Sequence, residues 1–243
     1  MILITRPKEQ SQDLILELET KGFIVFQESL YKIKYDKIKI NYDKNTYYIF
    51  PSINSVNSLV KNNEIKKFIG ANILVIGTTV KKALQNLGCK KILASTKDSS
   101  ELIKVLHQSK FLNVKFIYLC SNIINTDFFN KVKKHKINIH KKIVYNTLPR
   151  LKLTNKLINS LKLGHITAAL FYSKLAAETF LRLIIKQQLQ KKTKELEIFC
   201  LSERIAAPFK KKLFIYVNIA TQPNQTAMIA KLIEKRNFLE KNK

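Results

Sequence analysis

Short, nearly continuous apolar runs alternate along this chain with stretches in which apolar residues return every three or four positions. ILITRP (2–7) reads as a strand ending in Thr-Arg-Pro, and Leu14, Leu16 and Leu18 lie in the helix after it, which closes at Lys21-Gly22 before a second strand, FIVFQ (23–27). TYYIFPS (46–52) is again a strand, followed by a helix opening near Asn54 and carrying Val56, Leu59 and Val60. In VIGTTVKKALQNLGCKKILAS (75–95), Val75 and Ile76 end a strand, Gly77 allows a sharp turn, and Thr78 and Thr79 are placed to cap a helix that runs to Gly88. KFIYLCS (115–121) leads to a helix around Phe128–Val132, AALFYSK (168–174) to a long helix through Ile184, and LEIFCLSER (196–204) to another. KLFIYVNIA (212–220) precedes a last helix from about Gln225 to Leu239. Strand and helix alternating in this way, with strands apolar throughout, predict parallel sheets covered on both faces.

Two segments break the rhythm. SLYKIKYDKIKINYDKN (29–45) and KKIVYNTLPRLKL (141–153) are charged, extended and without helical periodicity. They read as two linkers whose strands can pair. If both cross between the same two bodies, the fold class is α/β with two similar doubly wound parallel-sheet lobes joined by two extended linkers, the second lobe inserted in the first. Residues 1–34 and 149–243 then form a discontinuous lobe one, and 38–144 an inserted lobe two. The lobes match in layout: IFPSINSVNSLV (49–60) with LFYSKLAAETFL (170–181), and VIGTTVKKAL (75–84) with CLSERIAAPF (200–209).

Composition narrows the chemistry. The chain has 243 residues, 46% of them hydrophobic, and a formal net charge of +27. That charge suits nucleic acid, an anionic membrane surface or a polyanionic small molecule. The lysines are spread over nearly every segment in a chain rich in Lys, Ile and Asn, so most of the charge reads as compositional bias. No apolar run reaches the length of a membrane span, and no secretory signal is visible. Cys89, Cys120 and Cys200 are odd in number and far apart, which argues for buried thiols in a reducing cytoplasm. The four histidines form no ligand cluster, and GxGxxG and GxxxxGK[ST] are absent. A metal site or a bound nucleotide therefore has little support from the sequence.

In open α/β sheets ligands lie beyond the carboxyl ends of the strands, where helix N-termini turn N–H groups toward an anion. The turns at those ends are therefore the candidate binding residues: Thr5 and Arg6, Ser52 and Asn54, Gly77, Thr78 and Thr79, Ser173 and Lys174, and Ser202 and Arg204. Any single one of them is also explained as a capped helix in a doubly wound fold.

Over almost the whole chain these blocks resemble the uroporphyrinogen-III synthase family. ILITRPKEQSQDLILELETKGFIVFQESLYKI (2–33) is similar to the family's opening, IFPSINSV to its "FTSxNAV" block and ILVIGTTVKKALQNLG to "VGxxTAxxLxxxG". IVYNTLP resembles the linker block that ends in a tyrosine, here Tyr145, and LFYSKLAAETF the second "FTSPSAV"-like block. CLSERIAAPF with IATQPNQTAMI (219–229) resembles the closing block. The order and spacing of six blocks carry the likeness. It departs at Val80, where the family usually has Thr, and at Ser202, Arg204 and Ile205 in place of a glycine and paired threonines.

The resemblance implies a cofactor-independent hydro-lyase that closes hydroxymethylbilane, a linear octacarboxylate, to uroporphyrinogen III with loss of water and inversion of ring D. It implies carboxylates of the bilane at the turns named above, and Tyr145 as the residue assisting departure of the hydroxyl. The residues themselves leave Tyr145 equally open as a linker aromatic that packs the hinge. A cytoplasmic monomer is expected, taking its substrate by transient hand-over from the preceding deaminase, with no nucleic-acid or membrane partner. Two other readings stay open. One is a two-lobed tetrapyrrole-binding protein impaired in catalysis. The other is a basic nucleic-acid-binding protein, which would need exposed aromatics, whereas Tyr47, Tyr48, Phe116, Tyr118, Phe171 and Tyr172 fall on strands expected to be buried.

Overall fold

A computed structural model describes residues 1–108, 111, 113–124, 126–210 and 213–241, with side chains through residue 237. Along the chain run β1 (Ile2–Ile4), α1 (Gln12–Thr20), β2 (Val25–Gln27), β3 (Tyr31–Lys34), β4 (Tyr47–Phe50), α2 (Ile53–Lys61) and β5 (Asn72–Ile76). Then come α3 (Thr78–Asn86), β6 (Ile92–Thr96), α4 (Ser99–Leu106), β7 (Phe116–Ser121), α5 (Thr126–Lys134), β8 (Ile139–Pro149) and α6 (Asn155–Lys162). The last third holds β9 (Ala168–Phe171), α7 (Lys174–Lys186), α8 (Gln190–Thr193), β10 (Glu197–Cys200), α9 (Glu203–Ala206), β11 (Val217–Ile219) and α10 (Gln225–Lys241).

The chain divides into two compact units, Met1–Lys32 with Leu148–Lys243, and Ile33–Thr147. It passes from one to the other within β3 and β8, which are neighbours in one sheet.

In the first unit a five-stranded sheet has the order β2-β1-β9-β10-β11, with all four pairings parallel. Numbered by chain order within the unit, this is 2-1-3-4-5. Alternate residues of each strand feed two cores. Leu3, Ala169, Phe171, Ile198 and Cys200 pack on one face against Phe180, Leu183 and Ile184 of α7. Ile2, Ile4, Leu170 and Phe199 pack on the other against Leu14 and Leu18 of α1 and Met228 and Leu232 of α10. Strands buried on both faces have no polar alternation to keep, which is why they read as continuous apolar runs. Each fully buried Leu, Ile or Phe stabilises the fold by roughly 1.5–3 kcal/mol relative to exposure.

In the second unit six strands lie in the order β3-β8-β7-β4-β5-β6. The pairings β7–β8, β4–β7, β4–β5 and β5–β6 are parallel. Counted from β4, the order is 3-2-1-4-5 with β3 added at the edge. The two sheets therefore share a class and not a strand order, although the local blocks look alike. Tyr48, Phe50 and Phe68 form the centre of one core, and Phe116, Tyr118 and Phe128 that of the other. Tyr48, Phe116, Tyr118, Phe171 and Tyr172 are buried as their strands require, and Tyr47 packs edge-on to Phe116.

Several elements are shorter than the pattern predicts. FIVFQ is a strand only over Val25–Gln27, because the Phe23 amide still donates to the Leu18 carbonyl at the end of α1. Of KLFIYVNIA, only Val217–Ile219 is a strand, and Lys212 lies outside the described residues. The linker after β3 is pinned by side chains instead of a ladder: Ile38 and Ile40 donate their amides to Asn62 Oδ1 and Glu64 Oε2.

Gly77 has φ +94° and ψ 141°, a backbone open essentially to glycine alone, and a Cβ there would meet nothing within 4 Å. Gly77→Ala therefore costs conformation and not a clash, about 1–3 kcal/mol. A urea midpoint lowered to match is the expected result, and an unchanged midpoint would show that the turn relaxes freely.

Candidate functional site

In a doubly wound parallel sheet the connections leave to opposite sides of the first strand, opening a crevice at its carboxyl end. In the first unit that switch falls between β1 and β9, and in the second between β4 and β7. Each is lined by residues that follow those strands.

At the first switch the Arg6 guanidinium lies over the Tyr172 ring, 3.6 Å from its centroid. Burial lowers the pKa of Arg6, and the neighbouring Tyr172 and Tyr31 act in the opposite sense. The guanidinium stays protonated, since its ordinary value is above 12. Among the described residues no carboxylate forms an ion pair with it. Burial raises the pKa of Tyr31, and the neighbouring Arg6 and Ser173 act in the opposite sense. Ser173 Oγ caps α7 by accepting from the Ala176 amide at 3.2 Å. Lys174, next in the chain, is exposed and pairs with Glu178.

Two expectations change here. Thr5 and Arg6 are not at the N-terminus of an α-helix, because Pro7 is extended and a short 3₁₀ turn intervenes before α1 starts at Gln12. The Thr5 hydroxyl is fully buried and donates to the Leu170 carbonyl at 2.7 Å, which ties β1 to β9. Beside them, the helix after Ser202 is only four residues long, with Pro208 just past its end. Ser202 makes no side-chain cap, and Glu203 sets a carboxylate, paired with Lys210, in that turn. Arg204 is exposed.

At the second switch Ser52 Oγ caps α2 by accepting from the Asn54 amide at 3.1 Å. Asn54 Oδ1 accepts from the Tyr35 hydroxyl at 3.0 Å, and the Tyr35 ring lies 6.4 Å from that of Tyr145, centroid to centroid. Tyr145 is buried on β8 and stands opposite Ser121 on β7. The structure thus joins Ser52, Asn54 and Tyr145 through Tyr35, a linker residue in no recognisable motif. Ser121 Oγ contacts Thr147 Oγ1 at 2.8 Å, and Asn122 Oδ1 accepts from the Thr147 amide at 2.7 Å, fastening the loop after β7.

On the adjacent strand end, Gly77 is the N-cap of α3 and no side chain caps it. Thr78 and Thr79 are exposed within the first turn and do not act as caps, since a cap residue must precede the helix with its hydroxyl over the N–H groups. The first-turn N–H groups of a helix have no acceptor within it, so this end can receive an anion.

Cys89, Cys120 and Cys200 are free and buried. Burial pushes the Cys120 thiol to about 11 and the Cys200 thiol and Tyr172 phenol to about 12. Free thiols ionise near 8.5 and free phenols near 10, so the folded chain holds these protons longer than the unfolded chain. Their contribution to stability is therefore level below about pH 8.5 and falls as pH rises toward 11–12. The melting temperature should drop over that window, and less steeply in Cys200→Ser. Equal slopes would show that the thiol is not responsible. No group of three or more His, Cys, Asp or Glu suited to a metal occurs among the described residues, and none of their helices is long and apolar enough to cross a membrane.

Fold and site together define a class: a doubly wound α/β protein that gathers a cation, hydroxyls and helix N-termini at its strand ends. The family model described as Uroporphyrinogen-III synthase HemD matches residues 12–230. The chain belongs to the uroporphyrinogen-III synthase family, a family of cofactor-independent hydro-lyases. The fold is similar to that of uroporphyrinogen-III synthetase from Helicobacter pylori, with a TM-score of 0.68 and 18% identity over 96% of this chain and 98% of that one. It is also similar to a mutant uroporphyrinogen III synthase from Thermus thermophilus, with a TM-score of 0.60 and 12% identity over 99% of both chains. No curated protein sequence matches the chain. The family and fold matches support closure of the tetrapyrrole, and nothing in them supports an impaired binder or a nucleic-acid-binding protein.

Proposed function

We propose that this chain converts hydroxymethylbilane to uroporphyrinogen III with the strand-end residues as its substrate site. Loss of hydroxide from the terminal CH2OH is driven by the pyrrole nitrogen and leaves an electrophilic azafulvene. The protein's task is then to present the substituted carbon of ring D for attack, through a spiro intermediate, ahead of direct closure. Catalysis by orientation of this kind supplies several kcal/mol. In this reading Arg6, Ser173 and Lys174, with the backbone at Thr5, hold carboxylates on the first unit. Ser52, Asn54, Gly77, Thr78 and Thr79 do so on the second, and Ser202 and Arg204 contribute less because Glu203 shares their turn. Tyr145 donates its phenolic proton to the departing hydroxyl and recovers one when the new ring rearomatises, so water is the only by-product.

The observation that carries the assignment is Arg6, a half-buried cation at a switch point with no ion-paired carboxylate among the described residues. We also propose a monomer working in a reducing cytoplasm, which three free buried thiols support, and substrate hand-over from the preceding deaminase. The test is to supply hydroxymethylbilane to purified protein and resolve the I and III isomers after oxidation. The III isomer should dominate; only the I isomer, at the rate without protein, would overturn the reading.

A further inference from the structure

Gln27, Arg6 and Tyr172 meet at the carboxyl ends of β2, β1 and β9. Ile4 is in register with Gln27 on one side and Leu170 on the other. Side chains return to the same face every second residue, so Arg6 and Tyr172 follow Ile4 and Leu170 onto the face covered by α1 and α10. Arg6 is held there at both ends. Gln27 Nε2 donates to its carbonyl at 2.6 Å, and the Tyr172 ring backs its guanidinium at 3.6 Å. The bond to that carbonyl also assigns the orientation of the Gln27 amide.

The Tyr172 hydroxyl is buried and has no hydrogen-bond partner among the described residues. A buried phenol without a partner is a cost to the fold, so what this residue offers the site is its ring. A guanidinium on a flexible stem would otherwise turn outward to water. Backed by an aromatic face, it keeps its plane fixed and its fork directed, the geometry that bidentate carboxylate binding needs.

We propose that Tyr172 and Gln27 are positioning residues that present Arg6 as a pre-set fork to one carboxylate of the substrate. This rests on the synthase reading for the identity of that substrate.

The test is steady-state kinetics with hydroxymethylbilane, together with calorimetric binding of benzenehexacarboxylate as a simple polycarboxylate probe. Tyr172→Leu should raise KM roughly tenfold, the size of a partly desolvated cation–π contact, and leave kcat within about twofold. Tyr172→Phe should restore KM and melt no lower than the parent, since it removes only the unpartnered hydroxyl. Arg6→Lys keeps the charge without the planar fork and should raise KM to a similar degree. The double variant Arg6→Lys with Tyr172→Leu should be no worse than Arg6→Lys alone, because both remove one unit. Multiplying effects, or Tyr172→Phe as impaired as Tyr172→Leu, would overturn the inference. If Tyr172→Leu loses its cooperative melt, Gln27→Met carries the test, with a raised KM expected and an unchanged KM overturning it. A parent protein that makes no III isomer condemns the synthase reading instead. The probe then decides the fork by itself: weaker binding in Tyr172→Leu and not in Tyr172→Phe supports it, and equal binding in all three refutes it.

Discussion

Tyr145→Phe should lower kcat for bilane closure by about 10²-fold or more while KM stays within a fewfold. A positioned general acid contributes roughly 10²–10⁴ in rate, and the substitution removes only the O–H that would supply it. The ring remains, and with it the packing against Tyr35 and the buried cluster around Val144. Because the isomer outcome depends on how ring D is held, the residual product should still be the III isomer. A drop in kcat without a drop in binding is the signature of an interaction made in the transition state. Unchanged kinetics would leave a synthase working by orientation alone, with Tyr145 as a core residue of the second unit.

Arg6→Glu should act on the other parameter, raising KM by about 10²-fold with a smaller change in kcat. A charge-assisted hydrogen bond is worth about 1.5–3 kcal/mol, and reversal adds repulsion of the same carboxylate. The site is half-buried, so the effect is screened less by salt than at an exposed lysine. Arg204→Glu should have a smaller effect, since Arg204 is exposed and Glu203 already places a carboxylate in that turn. Inhibition of the parent by added polycarboxylate, lost in Arg6→Glu, would check the charge directly. Equal KM values in parent and variant would remove Arg6 from the site.

How much of this was legible before the structure differs from residue to residue. Gly77 announces its turn because only glycine accepts its backbone, and Ser52 and Ser173 precede helices as caps do. Thr78 and Thr79 look like caps as well, but hydroxyls after a glycine turn can lie in the first turn as easily as before it. The helix α4 does not stand out in the apolar pattern, although Asp98 and Glu101 form a capping pair: Asp98 Oδ1 accepts from two first-turn amides, and Glu101 Oε2 accepts from the Lys97 amide. Tyr172 reads as a buried strand aromatic and is buried, one residue past the end of β9, yet nothing local tells that its neighbour is Arg6. Tyr35 and Tyr31 lie in an alternating charged linker where tyrosine carries no motif.

The sequence by itself determined the kind of element at most places, the parallel character of the sheets, the positions of the main turns and the family. Those are local properties: apolar runs are needed wherever a strand is covered on both faces, and turn chemistry acts over a few residues. The tertiary structure alone decided which strands are neighbours, and so where each sheet has its switch point. Two blocks as alike as IFPSINSV and LFYSKLAA end up in sheets of different strand order, because parallel pairing joins segments far apart in the chain and is set by packing of whole faces. The pairing of β1 with β9 is what brings Arg6 onto Tyr172, and the return of the β3 linker is what sets Tyr35 between Asn54 and Tyr145.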